Sequence, residues 1–255
     1  MGSAVGFCAP LLRLATVLLG CVAILWGTFA FPIFWREAPL ERIAQRVIFQ
    51  ENFKLDALLE RAPAVEIVEA EAPCRPIALH SAAVIRLRLV EQTISIGETT
   101  EIDDRLDALK HSVVDALSCS PADSFLWLVL FWVENTRNGF SPDNLKYLRM
   151  SYELGPNEGW IILKRNGIAL ALYEQLPPDL AETAVDEFVR LLSNGFVRDA
   201  STIFTGPGWR IRNILLPKLK SVAEGTREAF ARTVYDDGYD VDVPGVLRPD
   251  QRQHH

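Results

Sequence analysis

Residues 120–192 read SPADSFLWLVLFWVENTRNGFSPDNLKYLRMSYELGPNEGWIILKRNGIALALYEQLPPDLAETAVDEFVRLL, and this stretch decides the fold. Two proline signals recur in it: Pro121 and Pro156 are 35 residues apart, and Pro142 and Pro178 are 36 residues apart. Proline is tolerated in the first turn of a helix, because the amide that it lacks would have no partner there. A period of about 34 to 36 residues is typical of helix-pair repeats. The stretch therefore predicts stacked helix pairs.

The helices in this stretch alternate between two hydrophobic patterns. Residues 125–133 are nine consecutive apolar residues, too few to cross a bilayer and typical of a helix buried on all sides. Residues 159–172 are similar, whereas residues 178–192 have one apolar edge and one charged face. The predicted charged face consists of Asp179, Glu182, Asp186, Glu187 and Arg190. Each pair is thus predicted to place a buried inner helix beside a half-exposed outer helix.

Flanking segments extend the pattern in both directions. Apolar stripes over residues 77–96 and 102–117 predict one more helix pair before the central stretch. Short helices predicted within residues 206–219 and 224–235 would cap the last pair, whose end otherwise exposes apolar surface. The predicted fold class is all-α, with about three helix pairs and a C-terminal cap over residues 77–235.

The repeat resembles the tetratricopeptide family over residues 77–195. Pro121 and Pro156 match the proline that closes each unit of that family, and Trp127 falls at the position of its first-helix tryptophan. Trp160 departs from the pattern, since it stands four residues after its proline where Trp127 stands six after. The resemblance implies an α-solenoid that binds partner proteins on its concave side, without catalysis.

Residues 14–35 form an uncharged run of 22 residues, LATVLLGCVAILWGTFAFPIFW. About 20 apolar residues span the hydrocarbon of a bilayer, so a single transmembrane helix is predicted from Leu14 to Trp35. A cleaved signal peptide is the alternative. Against it, the run is longer than a typical apolar region of roughly 7 to 15 residues and ends in aromatic residues instead of a small-residue cleavage site. Pro32 is predicted to end or kink the helix.

The orientation of the span is ambiguous from charge, because Arg13 precedes it and three arginines follow it closely. Cys74 and Cys119 are a candidate disulfide, and such a bridge requires an oxidising compartment. Spacing alone leaves the pairing open. On this basis the protein is predicted to be a single-pass protein of the bacterial inner membrane with a periplasmic C-terminal domain.

Composition divides the chain into four predicted segments. Residues 1–36 hold an N-terminal tail and the anchor, and residues 37–76 hold a juxtamembrane helix and a linker. Residues 77–235 form the helical domain, and residues 236–255 form an acidic tail predicted to be flexible. The linker prediction rests on three prolines and two acidic-alanine steps within residues 62–76.

Composition and motifs exclude several classes of function. The net charge of -7 argues against nucleic acid as a partner, since phosphate binding needs a basic surface. No nucleophile elbow, phosphate loop, dinucleotide fingerprint or paired-histidine zinc helix occurs in the sequence. His80 and His111 lack the spacing of metal ligands. The sequence therefore predicts no catalytic residue, no metal site and no cofactor.

Four cations interrupt otherwise apolar runs within residues 159–172 and 206–219. One interpretation is that they form structural ion pairs between adjacent helices. The other is that they line a groove with nearby tryptophans and bind an acidic peptide or an anionic polysaccharide. The candidate partner-binding residues are Trp127, Trp160, Lys164, Arg165, Trp209, Arg210 and Arg212.

A second resemblance lies in residues 151–165, SYELGPNEGWIILKR. The Ser-x-x-Leu-Gly-Pro-x-Glu pattern behind an N-terminal span is similar to small membrane-anchored proteins associated with exopolysaccharide production in proteobacteria. The resemblance implies a role in exopolysaccharide or cell-envelope biosynthesis.

These observations favour a non-enzymatic function, a membrane-anchored periplasmic scaffold that binds other envelope proteins. One alternative is a polysaccharide-acting enzyme, or an accessory subunit of one, in which Glu158, Arg165 and Arg210 would converge on a pocket. A second alternative is a structural subunit of an energy-transducing membrane complex.

Overall fold

The computed structural model describes residues 5–49, 51, 53–71, 74–98 and 100–247. Within these residues every regular element is helical, which confirms the predicted all-α class. The α-helices are α1 (Val5–Ile48), α2 (Leu55–Leu59), α3 (Ala62–Glu71), α4 (Pro76–Ser95), α5 (Ile102–Cys119), α6 (Ser124–Asn138), α7 (Leu145–Leu154), α8 (Gly159–Ala171), α9 (Pro178–Ser193), α10 (Val197–Thr205), α11 (Arg212–Lys218) and α12 (Glu224–Asp236). The 3-10 helices are Pro142–Asn144, Tyr173–Gln175, Trp209–Ile211 and Leu219–Ser221.

The chain divides into two compact units, residues 1–112 and 113–255, with the division inside α5. The sequence placed α4 in the helical repeat domain, but in the structure α4 packs within the first unit against α1, α2 and α3. Helix α4 is buried on several faces and not along one stripe, since the consecutive residues from Ser81 to Ile85 are all buried. The core of the first unit consists of Leu40, Leu58, Val65, Val68, Ala78, Ala82, Ile85 and Leu89.

Helix α1 is unusual because its two ends lie in different surroundings. Most apolar side chains between Leu12 and Trp35 are exposed, with Trp26 at 69% and Phe29 at 77% of their full accessibility. Near its end, Leu40 and Ala44 are only 1% and 2% exposed and belong to the packed interior. The helix is long and apolar enough to cross a membrane. It continues through Pro32, so Pro32 does not end the helix, and a kink there stays a prediction.

The segment after α1 is also more helical than predicted. The juxtamembrane helix predicted within residues 37–76 divides into the end of α1 and the short helix α2. The predicted linker over residues 62–76 contains α3, which buries Val65 and Val68. Pro63 is the second residue of α3, a position where proline does not interrupt the hydrogen-bond ladder. Residues 72 and 73 lie outside the described part of the chain.

The second unit contains the helices predicted from the central stretch. In α6, seven of the nine residues at 125–133 are buried, and Trp127 and Trp132 are half-buried. Asp123 caps this helix, since its carboxylate accepts hydrogen bonds of 3.1 Å from the amides of Phe125 and Leu126. Helix α6 packs on α7 and α8, while α8 packs on α9 and α10. That these helices form stacked repeat pairs stays a prediction.

Helix α10 is an element that the sequence did not predict. It has only nine residues, too few for a clear periodic pattern. Its Phe204 contacts Phe188 of α9 and Phe230 of α12, with ring centroids 6.3 Å and 5.3 Å apart. All three rings are fully buried, so α10 supplies part of the core of the second unit.

The tail was predicted to be flexible over residues 236–255, but its first part is packed. Val243 is 4% exposed. Arg227 of α12 donates a hydrogen bond to the Pro244 carbonyl and a second one, of 3.1 Å, to the Val222 carbonyl. The bond to Pro244 and the burial of Val243 hold this part of the tail against α12. Residues 248–255 lie outside the described part of the chain.

Gly155 sits where the end of α7 meets the start of α6. A Cβ atom built on Gly155 would lie 2.2 Å from the Ser124 hydroxyl oxygen and 2.6 Å from the Ser124 Cβ. The backbone therefore approaches Ser124 more closely than any residue with a side chain allows. The glycine that precedes Pro156 in the repeat is thus required by packing.

We expect Gly155→Ala to lower the free energy of unfolding by roughly 1 to 3 kcal/mol, because the added methyl group must push Ser124 away. Gly225→Ala is the matched control, since a Cβ there meets nothing within 4 Å. Urea unfolding of the detergent-solubilised chain, followed by tryptophan fluorescence, measures both. Equal stability of the two variants would contradict the close approach.

Candidate functional site

The central feature of the second unit is a buried ion pair between Arg165 of α8 and Glu187 of α9. Both side chains are fully buried, at 0% exposure. The guanidinium donates to Glu187 Oε1 twice, from Nη2 at 2.6 Å and from Nε at 3.0 Å. A charge-assisted pair of this kind is stronger than a neutral hydrogen bond, and burial makes each partner depend on the other.

The remaining N–H groups of Arg165 bind the end of α7. Nη1 donates to the Ser151 carbonyl at 2.6 Å and to the Ser151 hydroxyl at 3.2 Å, and Nη2 donates to the Gly155 carbonyl at 3.0 Å. The Ser151 carbonyl also accepts from the Gly155 amide at 3.2 Å, so Arg165 is its second donor. The Gly155 carbonyl lies past the last turn of α7, where carbonyls have no partner within the helix, and Arg165 supplies one. All five donors of Arg165 are therefore engaged.

Glu187 is satisfied from the other side of the same cluster. Tyr152 of α7 donates its hydroxyl to Glu187 Oε2 at 3.3 Å, and Asn166 of α8 donates to the same oxygen at 3.4 Å. Asn166 also donates to the Ala184 carbonyl at 2.7 Å. The Arg165 guanidinium lies 4.2 Å from the centroid of the Tyr152 ring, a cation–π contact. The cluster thus ties α7, α8 and α9 together.

Burial changes the proton affinity of both acidic groups in the cluster. Burial raises the pKa of the Glu187 carboxyl, and the charge and hydrogen bonds of Arg165 offset part of that rise. Burial raises the pKa of Tyr152 well above its ordinary value, and the neighbouring Glu187 charge raises it further. Tyr152 therefore acts as a neutral hydrogen-bond donor.

A second, exposed ion pair joins the same outer helices. Arg149 of α7 donates both amino groups to the Asp179 carboxylate at the start of α9, one of them at 3.1 Å. The hydrogen bond from Arg149 lowers the pKa of Asp179. Because this pair is solvated, it contributes little stability compared with the buried pair.

Arg165 is thereby removed from the predicted set of partner-binding residues. It is enclosed by protein, and any ligand would have to break its contacts with Ser151, Gly155 and Glu187. Glu158 and Arg210 are exposed, whereas Arg165 is not, so the three do not share a solvent-accessible surface. Arg165 therefore forms a structural ion pair between adjacent helices, which is the first of the two interpretations given for the cations in apolar runs.

The predicted tryptophans lie in three different packing groups. Trp160 packs on Phe125 of α6, with ring centroids 4.7 Å apart. Trp127 stacks on Tyr147 at 5.9 Å and donates its indole N–H to the Pro121 carbonyl at 2.8 Å. Trp209 contacts Phe204 at 5.8 Å. All three indoles are half-buried, so each combines a packing role with some accessible surface.

Of the other predicted cations, Arg210 and Arg212 follow Trp209 closely in the chain, and Lys164 is half-buried on α8. Residues 209–220, WRIRNILLPKLK, form what we call the basic segment. It buries its apolar residues Ile211, Leu215 and Leu219 at 4% exposure or less. Its four cations are exposed and the segment contains no acidic residue; these cations are Arg210, Arg212, Lys218 and Lys220.

Trp209 and Arg212 form the best-defined part of the basic segment. The Arg212 guanidinium lies 4.7 Å from the Trp209 ring centroid and donates to the Trp209 carbonyl at 2.9 Å. Tyr239 contacts the same indole at 4.8 Å. Within the residues that the structure describes, no carboxylate forms an ion pair with any of the four cations. The segment can therefore bind an anionic group from another molecule.

The two cysteines predicted to pair are both disulfide-bonded, whereas Cys21 is a free, exposed thiol. That Cys74 pairs with Cys119 stays a prediction. Within the described part of the chain, no group of three or more His, Cys, Asp or Glu side chains is placed to hold a metal ion.

Comparison with known proteins adds no further information on this site. No protein-family model, curated protein or solved structure matches the chain. The tetratricopeptide resemblance and the exopolysaccharide resemblance therefore stay predictions from the residues that suggested them.

The sequence assigned Glu187 to the charged face of α9, and this was wrong. A signal was present, because Leu180, Ala184 and Glu187 are spaced by four and three residues, which is the spacing of one helix face. Glu187 thus lies on the apolar face, opposite the cation that interrupts α8. Tyr152 and Ser151 gave no comparable signal, since their roles depend on where α7 ends.

We expect Glu187→Ala to lower the free energy of unfolding by about 3 to 5 kcal/mol, because it leaves Arg165 buried without a counter-charge. Asp186→Ala changes an exposed neighbour on the same helix and should stay within about 0.5 kcal/mol of the parent. Urea unfolding of the solubilised chain compares them.

A double variant with Arg165→Met and Glu187→Leu distinguishes the effect of an unpaired buried charge from the effect of lost side-chain packing. It should be more stable than Glu187→Ala alone, since neither remaining side chain is a buried, unpaired charge. A double variant less stable than Glu187→Ala would contradict the assignment of the pair as the source of the effect.

Proposed function

We propose that this protein is a membrane-anchored scaffold, in which α1 tethers a helical domain that binds partner molecules in the periplasm. The observation that carries the proposal is the continuity of α1. One helix is apolar and exposed over Leu14 to Trp35 and then enters the core of the first unit at Leu40. Lipid is the medium that suits the exposed part.

Retention of the anchor is supported by the same helix. A signal peptide joins the mature protein through a segment that the peptidase can reach in extended form. In this chain the residues after the apolar run are helical and Leu40 and Ala44 are buried. Removal of the apolar part would leave a shortened helix still needed by the core.

The compartment is proposed from the cysteines. Disulfides persist in oxidising compartments, and Cys74 and Cys119 are both disulfide-bonded. Both follow the anchor in the chain, so the domain after α1 would face the periplasm and the residues before α1 the cytoplasm of a bacterial inner membrane.

Stacked helix pairs are proposed as the binding framework. The contacts α6–α7, α8–α9, α6–α8 and α8–α10 are those that a tetratricopeptide-like array would make. Such arrays present side chains from successive pairs along one surface. The Arg165 cluster would fix the relative positions of the helices in this framework.

The basic segment is proposed as the docking site. It places four exposed cations beside Trp209 on a chain whose net charge is -7. An aromatic ring with adjacent arginines fits an acidic segment of another envelope protein, with an anionic polysaccharide as the second source of the same carboxylate chemistry.

A role in exopolysaccharide or envelope biosynthesis is the proposed pathway, and it rests on the pattern in residues 151–165. Two residues of that pattern, Ser151 and Gly155, have packing roles through Arg165 and Ser124.

Affinity purification from detergent-solubilised membranes tests the docking site. We expect the parent chain to recover a stoichiometric acidic partner, and the double variant Arg210→Glu, Arg212→Glu to lose it by at least tenfold, because attraction becomes repulsion. The control is Arg198→Glu, Arg232→Glu, which makes the same charge change at two exposed arginines outside the basic segment.

Equal recovery by both double variants would contradict docking at the basic segment, and the absence of any stoichiometric partner would contradict the scaffold.

Alkaline phosphatase fused to the C-terminus of the same chain reports its compartment. Activity is expected; an inactive enzyme with a fluorescent cytoplasmic reporter at the same position would overturn the periplasmic orientation.

A further inference from the structure

The last turn of the apolar run in α1 is covered on one side by α3. A cleft of about 100 Å³ lies between the two helices. Side chains of both helices and Arg75 line the cleft. Those of α1 are Ile33, Arg36 and Glu37, and those of α3 are Ala64, Ile67, Val68 and Glu71. Ile33 lies inside the uncharged run, so α3 reaches back alongside the segment assigned to the membrane.

Two ion pairs hold this arrangement at the end of the apolar run. Arg36 and Glu71 are 3.1 Å apart and join α1 to the end of α3. Arg75 pairs with Glu37 and joins α1 to the residue before α4. The first turn of α4 therefore lies at the same level along α1 as Arg36 and Glu37.

Apolar side chains are exposed at this level on all three helices. Ile67 of α3 is 45% exposed, Ile77 of α4 is 66% exposed and Trp35 of α1 is 70% exposed. Arg13 and Arg36 bound the uncharged run and are 23 residues apart, or about 35 Å of helix. The hydrocarbon of a bilayer is about 30 Å thick, so a bilayer centred on this run would place Arg36 just outside it and Ile67 and Ile77 at its edge.

We infer that the bilayer surface into which α1 inserts covers this face of the first unit. Ile67 and Ile77 would contact lipid directly, and acyl-chain segments would fill the cleft beside Ile33. The inference rests on the proposed membrane anchor and adds a second contact to it, in which α3 and the first turn of α4 are seated in the headgroup region.

Because arginines on this face pair with carboxylates, the proposed contact with lipid is made by its apolar side chains. Three arginines of these helices pair with carboxylates, Arg36 with Glu71, Arg75 with Glu37 and, farther along α4, Arg86 with Glu69 at 2.7 Å. Glu66 adds an exposed negative charge. Anionic lipid is therefore not required, in contrast to basic membrane-binding segments.

Depth-dependent fluorescence quenching in reconstituted vesicles tests the inference. The full chain, with Cys8→Ser and Cys21→Ser, carries one bimane label at Ile67→Cys or Ile77→Cys under non-reducing conditions. Phosphatidylcholine brominated near the glycerol backbone is the quencher. The reference label is Ile24→Cys, within the span, and the control label is Ile96→Cys at the far end of α4.

The control matches the test sites, since Ile96 is 61% exposed and follows Ile77 by 19 residues, or about 29 Å of helix. We expect the labels at Ile67 and Ile77 to show at least half the quenching seen at Ile24, and the label at Ile96 to show less than a tenth of it. Replacing a third of the lipid by phosphatidylglycerol should leave these ratios unchanged.

The possible failures are distinguishable. Quenching at Ile24 alone would overturn the seating of α3 and α4 and leave the anchor intact. No quenching at Ile24 would overturn the anchor as well. Equal quenching at Ile96, or quenching that appears only with phosphatidylglycerol, would overturn an apolar contact confined to this face.

Discussion

The arrangement of this protein depends on how the apolar surface of one helix is covered. Helix α1 buries Leu40 and Ala44 near its end in the protein interior, but most of the apolar side chains that it carries between Leu12 and Trp35 are exposed. Water is an unfavourable solvent for the remainder, and the cost scales with the exposed apolar area. The same helix therefore links the medium around its first part to the core of the first unit, without a hinge loop between them.

The second unit depends on a different constraint, the satisfaction of one buried cation. Arg165 enters an interior of aromatic and aliphatic side chains, where an unpaired charge is strongly unfavourable. Its donors are satisfied only if the end of α7, helix α8 and Glu187 of α9 take specific positions. Gly155 has two roles in this arrangement. Its carbonyl accepts a hydrogen bond from Arg165, and its lack of a side chain leaves space for Ser124. Such a cluster can fix helix positions more strictly than apolar packing alone.

Much of the helical content could be predicted from sequence, because it depends on local signals. Proline at helix starts, the apolar run at 125–133 and the stripes of α4 and α5 each led to a helix that the structure contains. Features that depend on tertiary contacts were missed. Helix α10 is short, and α3 begins at Ala62 with Pro63 as its second residue, so neither has a distinctive pattern. The grouping of α4 with α1 depends on which surface its apolar face meets.

In the candidate site, too, features with a local sequence signal were predicted and features that depend on tertiary contacts were missed. That Arg165 needs an acidic partner followed from its position within an apolar run, but the partner could be identified only once α8 and α9 were placed together. Glu187 looked like one more charge beside Asp186, although its spacing from Ala184 put it on the apolar face. The basic segment was predicted in part, since Arg210 and Arg212 were singled out, while the exposure of Lys218 and Lys220 followed from the burial of Leu215 and Leu219.

A scaffold on a continuous helical stalk differs from one on a flexible tether in how it presents its partners. With α1 unbroken, the proposed anchor would hold the first unit at a fixed height above the bilayer. This property would suit a protein that positions other components at a membrane.

The most direct measurement of this continuity is a distance between spin labels at Ile24→Cys and Arg42→Cys, in the full chain with Cys8→Ser and Cys21→Ser in lipid nanodiscs. The two positions are 18 residues apart, which is five turns of one helix, so they lie on the same face about 27 Å apart. Pulsed electron paramagnetic resonance should give one narrow distribution centred near that distance. A broad distribution, or loss of the signal because the chain is cleaved between the labels, would contradict an anchor and a core that share one helix.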